Sequence, residues 1–169
     1  AGAGLRGPSL LAGAGAFAGF GLSSKPTAVG RLFVTAAWSR VAVELGGELS
    51  VPSTTYRADG AGFSQEEFLA SLAACWLRVP FSACAVGKVG EMRVTGQGVS
   101  VPLTATGLVA QAGVRLAFSH PLGHRASIVA HAEGLGHLTQ GTVTLDSMPV
   151  WTSPTFAALL GLDVALRFR

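Results

Sequence analysis

The residues of this 169-residue chain whose types could carry chemistry are two cysteines, four histidines and the adjacent Glu66 and Glu67. Glu66 and Glu67 open a run, Ser64–Leu77, in which Phe68, Leu69, Leu72, Ala73, Cys75 and Trp76 follow. Ser64 holds an N-cap position and Glu67 sits three places on, a capping-box spacing that predicts a helix. Both acids suit the positive end of such a helix, and the run behind them is apolar nearly all round, which predicts a buried one. Cys75 on that helix is either a reactive thiolate, given a cationic neighbour, or a small buried hydrophobe. Cys84 lies nine residues on, about 13.5 Å away along an unbroken helix and facing the other side. No bond between the two is expected there, although a break at Pro80 leaves one open. Reduced thiols are then the default.

His120 and His124 flank Pro121-Leu122-Gly123, and His131 and His137 follow. No cysteine or carboxylate stands at zinc-ligand spacing from them, so no metal is predicted. The chain has no Gly-x-Gly-x-x-Gly after a strand, no Walker spacing and no Gly-x-Ser-x-Gly elbow, so no nucleotide cofactor and no hydrolase elbow are predicted either.

The elements that would position these residues alternate in type. Leu32–Trp38 and Val41–Leu45 read as strands, with Gly46-Gly47 as a hairpin turn into Glu48–Val51. Residues 52–63 read as a loop before the helix. Met92–Thr95 and Val99–Ala105 read as strands, and Val114, Leu116 and Phe118 alternate with Arg115, Ala117 and Ser119 as in a half-buried strand. Ala126–Glu133 reads as a short helix, Gly141–Met148 as a strand, Pro154–Leu160 as a helix, and Leu162–Phe168 alternates again. The order predicts an α+β fold, antiparallel sheet around a buried central helix.

Charge divides unevenly. Residues 1–40 hold Arg6, Lys25, Arg31 and Arg40 and no acid, giving +4, whereas residues 41–169 hold eight bases and nine acids, giving −1. The near-neutral remainder lacks the basic face that duplex nucleic acid requires. Only 12% of the residues are charged, about half the usual share, which predicts a surface largely covered by partners. The first 37 residues, basic and rich in Gly and Ala, resemble an organelle-targeting arm. The uncharged run between Arg6 and Lys25 is a marginal membrane span and a candidate membrane contact. Trp38, Trp76 and Trp151 read as partner contacts or as core filling.

The helix and a later stretch together carry a family resemblance. Ala61-Gly62-Phe63-Ser64-Gln65-Glu66-Glu67-Phe68-Leu69-Ala70-Ser71-Leu72-Ala73-Ala74-Cys75 resembles the central helix of the OsmC/Ohr family. Ala130-His131-Ala132-Glu133, followed by Thr139-Gln140-Gly141-Thr142-Val143-Thr144-Leu145, resembles its second signature. The resemblance implies an OsmC-like domain over 38–148, with an arm at 1–37, an extension at 149–169 and an intertwined homodimer. It implies Cys75 as the peroxide-reactive thiol, with Glu66 and Arg57 holding it as thiolate. The family's second, resolving cysteine is absent, so a sulfenate on Cys75 would need an outside thiol.

The function expected from these features is a non-catalytic accessory subunit of a large mitochondrial assembly, built on a degenerate OsmC-like fold. A respiratory-chain or ATP synthase complex at the inner membrane is favoured, with other protein subunits as partners. The alternatives are a thiol-dependent organic hydroperoxide reductase using Cys75, and a mitochondrial ribosomal protein in contact with rRNA. A small-molecule or lipid-binding module is a weaker third reading.

Overall fold

Alternation with a period of two runs through almost the whole chain, including the segments whose composition favours helix. The computed structural model describes residues 8–56, 60, 62–97, 104–139, 142–145 and 148–168, and none of these is helical. The strands are β1 (Ser9–Phe20), β2 (Thr27–Ala37), β3 (Val41–Ser50), β4 (Ser53–Tyr56), β5 (Gly62–Arg78), β6 (Phe81–Gln97), β7 (Thr104–Leu122), β8 (Ala126–His137), β9 (Thr142–Leu145), β10 (Met148–Thr152) and β11 (Phe156–Phe168).

Eight of them close on themselves. Antiparallel neighbours run β3-β2-β1-β11-β8-β7-β6-β5, and β3 pairs with β5 to complete the ring. β4 continues the line of β3 along β5 after an interruption at Val51-Pro52, where proline has no N–H to give to a ladder. β9 and β10 form a separate hairpin between β8 and β11. This is an up-and-down barrel, which leaves no sheet edge among its eight strands. The α+β expectation is overturned. The predicted central helix is β5, and the predicted helices at 126–133 and 154–160 fall in β8 and in β11 with its approach. Residues 9–37, read as an arm, supply β1 and β2, and β1 pairs with β11 from the tail to seal the ring.

Faces, not propensities, explain the switch. On β5 the side chains of Gln65, Glu67, Leu69, Ser71, Ala73 and Cys75 turn inward, while Phe68, Ala70, Leu72, Ala74 and Trp76 turn outward. Alanine occurs on both faces, which blurs the period-2 signal and leaves a composition that favours helix. Gly46-Gly47 is not a turn but mid-strand, facing Ser71 and Ala70 of β5.

The barrel is polar inside and apolar outside. Arg31, Glu48, Lys88 and Glu133 are each 2–4% exposed, whereas Leu32, Leu116 and Leu162 are 61–69% exposed. A water-soluble protein almost never buries its Lys and Glu while exposing its Leu in this way. Outward along β5 the order is Glu66, Phe68, Ala70, Leu72, Ala74, Trp76, Arg78: an apolar stripe bounded by aromatics, with a charge beyond each. From Phe68 to Trp76 the stripe rises about 20 Å once strand tilt is allowed for, close to the apolar band of a membrane barrel. Outward β11 repeats it as Phe156, Ala158, Leu160, Leu162, Val164, Leu166 and Phe168. Lipid, not water, is the solvent this surface fits.

The two ends differ. Trp38–Arg40, Val79–Pro80 and Gly123–Arg125 are tight turns at one end, where Ser9 and Phe168 also lie. At the other end the described links are 21–26, between β1 and β2, and 138–139 and 153–155, which lead from β8 and into β11. Gly21 has φ 79°, and a Cβ there would press on the Phe156 carbonyl oxygen, so the first of these links needs glycine at its start.

Candidate functional site

The lumen collects the buried charge of the chain. β2 contributes Arg31, β3 contributes Glu44 and Glu48, β6 Lys88, β7 Arg115, β8 His131 and Glu133, and β11 Asp163, all turned inward by strand parity. Arg31 pairs with Glu44 and lies 3.9 Å from Glu133 and 3.8 Å from Asp163. Arg115 donates from Nη1 to Glu44 at 2.6 Å and from Nε to Glu133 at 2.5 Å. Lys88 Nζ donates to Glu48 at 2.7 Å and forms an ion pair with Glu133 Oε2 at 2.6 Å. His131 Nδ1 lies 3.1 Å from Asp163 Oδ2. Six of the eight barrel strands thus meet in one ionic cluster that crosses the lumen.

Glycines make room for it. Gly13 and Gly15 face inward from β1, where a Cβ would collide with the Phe33 ring and the Asp163 carboxylate, respectively. A Cβ at Gly161 would press on Phe17 and on His131. Aromatic faces then pack on the cations: Arg31 lies 4.5 Å from the centre of the Phe33 ring and Lys88 5.3 Å from that of Phe17. A buried ionic cluster adds little net stability over an apolar filling, but it leaves no member free to lose its partner.

Beyond the cluster, towards the long-loop end, Leu69, Met92 and Val109 pack together. Gln65 donates to the Leu22 carbonyl at 3.1 Å there. A void of only about 10 Å³ lies between Glu48, Glu67, Lys88 and Gln111, at the lower limit for one water. Towards the short-turn end the lumen instead opens into a vestibule of about 340 Å³. Its inner end carries Glu44, Arg115, His131 and Asp163, and its mouth carries Arg125 and Arg167.

The residues singled out from the sequence fall apart. Cys75 faces the vestibule, bonded to Cys84 across the β5–β6 ladder, and no cysteine is free. The expectation of two reduced thiols is therefore corrected. On strands, nine residues across a two-residue turn bring the pair face to face; on a helix they would diverge. Glu66 faces outward, 3.6 Å from Arg93, on the opposite face of β5 from Cys75. Arg57 lies outside the described residues. Among the described residues no group of three or more His, Cys, Asp or Glu is arranged to hold a metal. Of the histidines, only His131 belongs to the cluster. The inward polar set escapes a reading along the chain because Arg31, Glu44, Lys88 and Arg115 are scattered in sequence. Their shared signal is that each sits between two outward residues that are small or apolar.

Disulfide formation needs an oxidising compartment. Replacing Cys75 and Cys84 together by serine is expected to lower stability by about 2–3 kcal/mol, the entropy of the short loop they close. A maleimide reagent is expected to label the unreduced, unfolded chain at no site; labelling at two sites would show the thiols free.

No protein-family description matches this chain, and no curated protein matches it. Solved structures do. The fold is similar to Ail, the attachment invasion locus protein of Yersinia pestis, at 12% identity and a TM-score of 0.60, over 96% of this chain and 99% of that one. It is similar to a major outer membrane protein from Thermus thermophilus at 17% identity and 0.60, over 96% and 100%. Neisserial surface protein A aligns at 12% and 0.56, over 96% and 98%. At these identities the likeness is one of fold. It overturns the OsmC/Ohr resemblance, whose Gly62–Cys75 lies on barrel strand β5 and whose Ala130–Glu133 lies on β8. The mitochondrial accessory-subunit reading, its inner-membrane location, and the peroxidase and ribosomal alternatives fall with the fold that carried them.

Proposed function

We propose that this chain is an integral outer-membrane protein, an eight-stranded barrel with a closed lumen that anchors and presents the connections at its long-loop end. The observation that carries this reading is the inversion of polarity: leucines outward along the long strands, ion-paired Arg, Lys and Glu inward. Barrels of this kind place short turns in the periplasm and longer loops outside the cell, which puts Trp38–Arg40, Val79–Pro80 and Gly123–Arg125 on the periplasmic side. The disulfide suits that oxidising compartment. Transport through the lumen is disfavoured, because the ionic cluster fills its cross-section.

The loop end is built to hold shape. Ser24 and Thr55 hydroxyls share a hydrogen bond of 2.6 Å, and Lys25 Nζ donates to the Thr54 carbonyl at 3.1 Å, which ties the first link to β4. Between β8 and β11 the chain also forms the β9–β10 hairpin. This geometry supports a role in contact with partners outside the cell, since loops on a rigid barrel are where binding residues concentrate.

The test is reconstitution. The unboiled protein is expected to migrate on a denaturing gel as a compact species that shifts on boiling, and to insert into planar bilayers without stable conductance. A protein that stays monodisperse in water without detergent would sink the membrane reading. Steady open-channel currents would instead sink the closed-lumen reading.

A further inference from the structure

The vestibule has a feature that structural packing leaves unexplained. The Arg167 N–H donates to the Arg125 carbonyl at 2.7 Å, so the ladder between β8 and β11 continues one step and sets two arginines side by side at the mouth. Like charges held across a ladder repel. Both side chains are exposed, and among the described residues neither has an ion pair or a side-chain hydrogen bond. The nearest acids in the cavity wall, Glu44 and Asp163, already face Arg115 and His131. His124 stands beside Arg125 in the same turn.

Behind this basic mouth the wall is largely apolar, with Leu11, Phe33, Leu77, Ala117, Val129 and Ala165 lining it. Asp163 and Arg167 are four residues apart on β11, so the cavity runs about 10 Å inward from the arginines. At its inner end Arg115 is 4% exposed and its Nη2 has no hydrogen-bond partner. A concave site of about 340 Å³ with apolar walls and a few placed donors is of small-ligand size.

We infer that the vestibule binds an organic anion, a single carboxylate or phosphate on an apolar body, with the anionic group between Arg125 and Arg167 and the body along the inner wall. The paired guanidinium groups suit a planar or tetrahedral oxyanion, which would also relieve their mutual repulsion. This binding role is separate from the loop-end presentation proposed above and is read by a different measurement.

The experiment is calorimetric titration of the full chain in lipid nanodiscs with octanoate and with octyl phosphate, against empty nanodiscs. At least one is expected to bind with a stoichiometry of one, and the tighter of the two identifies the headgroup. Arg125→Gln/Arg167→Gln is expected to weaken that binding about tenfold or more. Arg40→Gln/Arg78→Gln removes the same charge from this end but outside the cavity and is expected to leave binding unchanged. The boiling-dependent gel shift checks that each variant is folded. Equal weakening by the two double variants would overturn the inference, as would octanol or inorganic phosphate binding as tightly as the anions, or neither anion binding the folded wild type.

Discussion

Glu133→Gln is expected to cost the barrel about 3–5 kcal/mol, the largest effect of any single conservative change in the lumen. Glu133 is fully enclosed, accepts from Arg115 on one oxygen and has the Lys88 ammonium 2.6 Å from the other. Gln keeps the volume, so no cavity forms, but it removes the negative charge that Arg115 and Lys88 share. Arg115 keeps Glu44 and Lys88 keeps Glu48, so the folded state persists with a lowered margin. The check is the urea midpoint in lipid vesicles, read by tryptophan fluorescence. Adding Lys88→Met to Glu133→Gln is expected to deepen the loss, because the buried Glu48 is then left with no cation beside it among the described residues. A loss below about 0.5 kcal/mol, in the range of an ordinary surface change, would mean that water and not protein surrounds this cluster.

Leu72→Arg is expected to destabilise the protein in the same vesicles by about 2–4 kcal/mol, the cost of an arginine near the middle of a bilayer. Leu72 is 54% exposed and sits midway between the outward Phe68 and Trp76. In a water-soluble protein an exposed leucine changed to arginine would alter stability by no more than about 0.5 kcal/mol. The two environments therefore predict outcomes well apart. Glu66→Arg, six residues up the same outward face and beyond the aromatic boundary, is expected to cost at most about 1 kcal/mol, since charges near the interface are cheap. An unchanged midpoint for Leu72→Arg would place this face in water and remove the basis of the membrane reading.

Several strands are legible as strands, but not their orientation. Val114, Leu116 and Phe118 do alternate with Arg115, Ala117 and Ser119, and β7 runs through them. A half-buried strand in water would turn the apolar set inward. In the barrel it is Arg115 and Ala117 that are buried and Val114, Leu116 and Phe118 that face out. A period of two says that a strand has two unlike faces; which face meets the core depends on the solvent, and lipid reverses the sign. The shortage of charge points to a covered surface without saying what covers it, and a bilayer fits this one better than a protein partner does. In the glycine-rich start, the alternation Ala12-Gly13-Ala14-Gly15-Ala16 has the look of low complexity. Each alanine there turns outward and each glycine makes room for an inward neighbour on another strand.

Other features cannot be reached along the chain. The helix expected at 64–77 rests on local propensity and capping, both real preferences of those residues. They lose to a ladder of pairings with β3 and β6, which satisfies every backbone group without a helix only once the ring is closed. The Cys75–Cys84 bond likewise follows from the antiparallel register around Val79-Pro80, not from the spacing of nine.

By itself, the sequence determined the local alternation, the shortage of charge and the small residues that permit crowding. These are properties each segment carries whatever its neighbours do. Closure was decided only in three dimensions: β1 finds β11 from the far end of the chain, and β3 finds β5. With it came the meeting of Arg31, Glu44, Lys88, Arg115, Glu133 and Asp163, which are scattered along the chain. Each of those charges would be prohibitive alone in a barrel interior and is tolerated because the others arrive with it. That condition belongs to the assembled ring and to no segment of it.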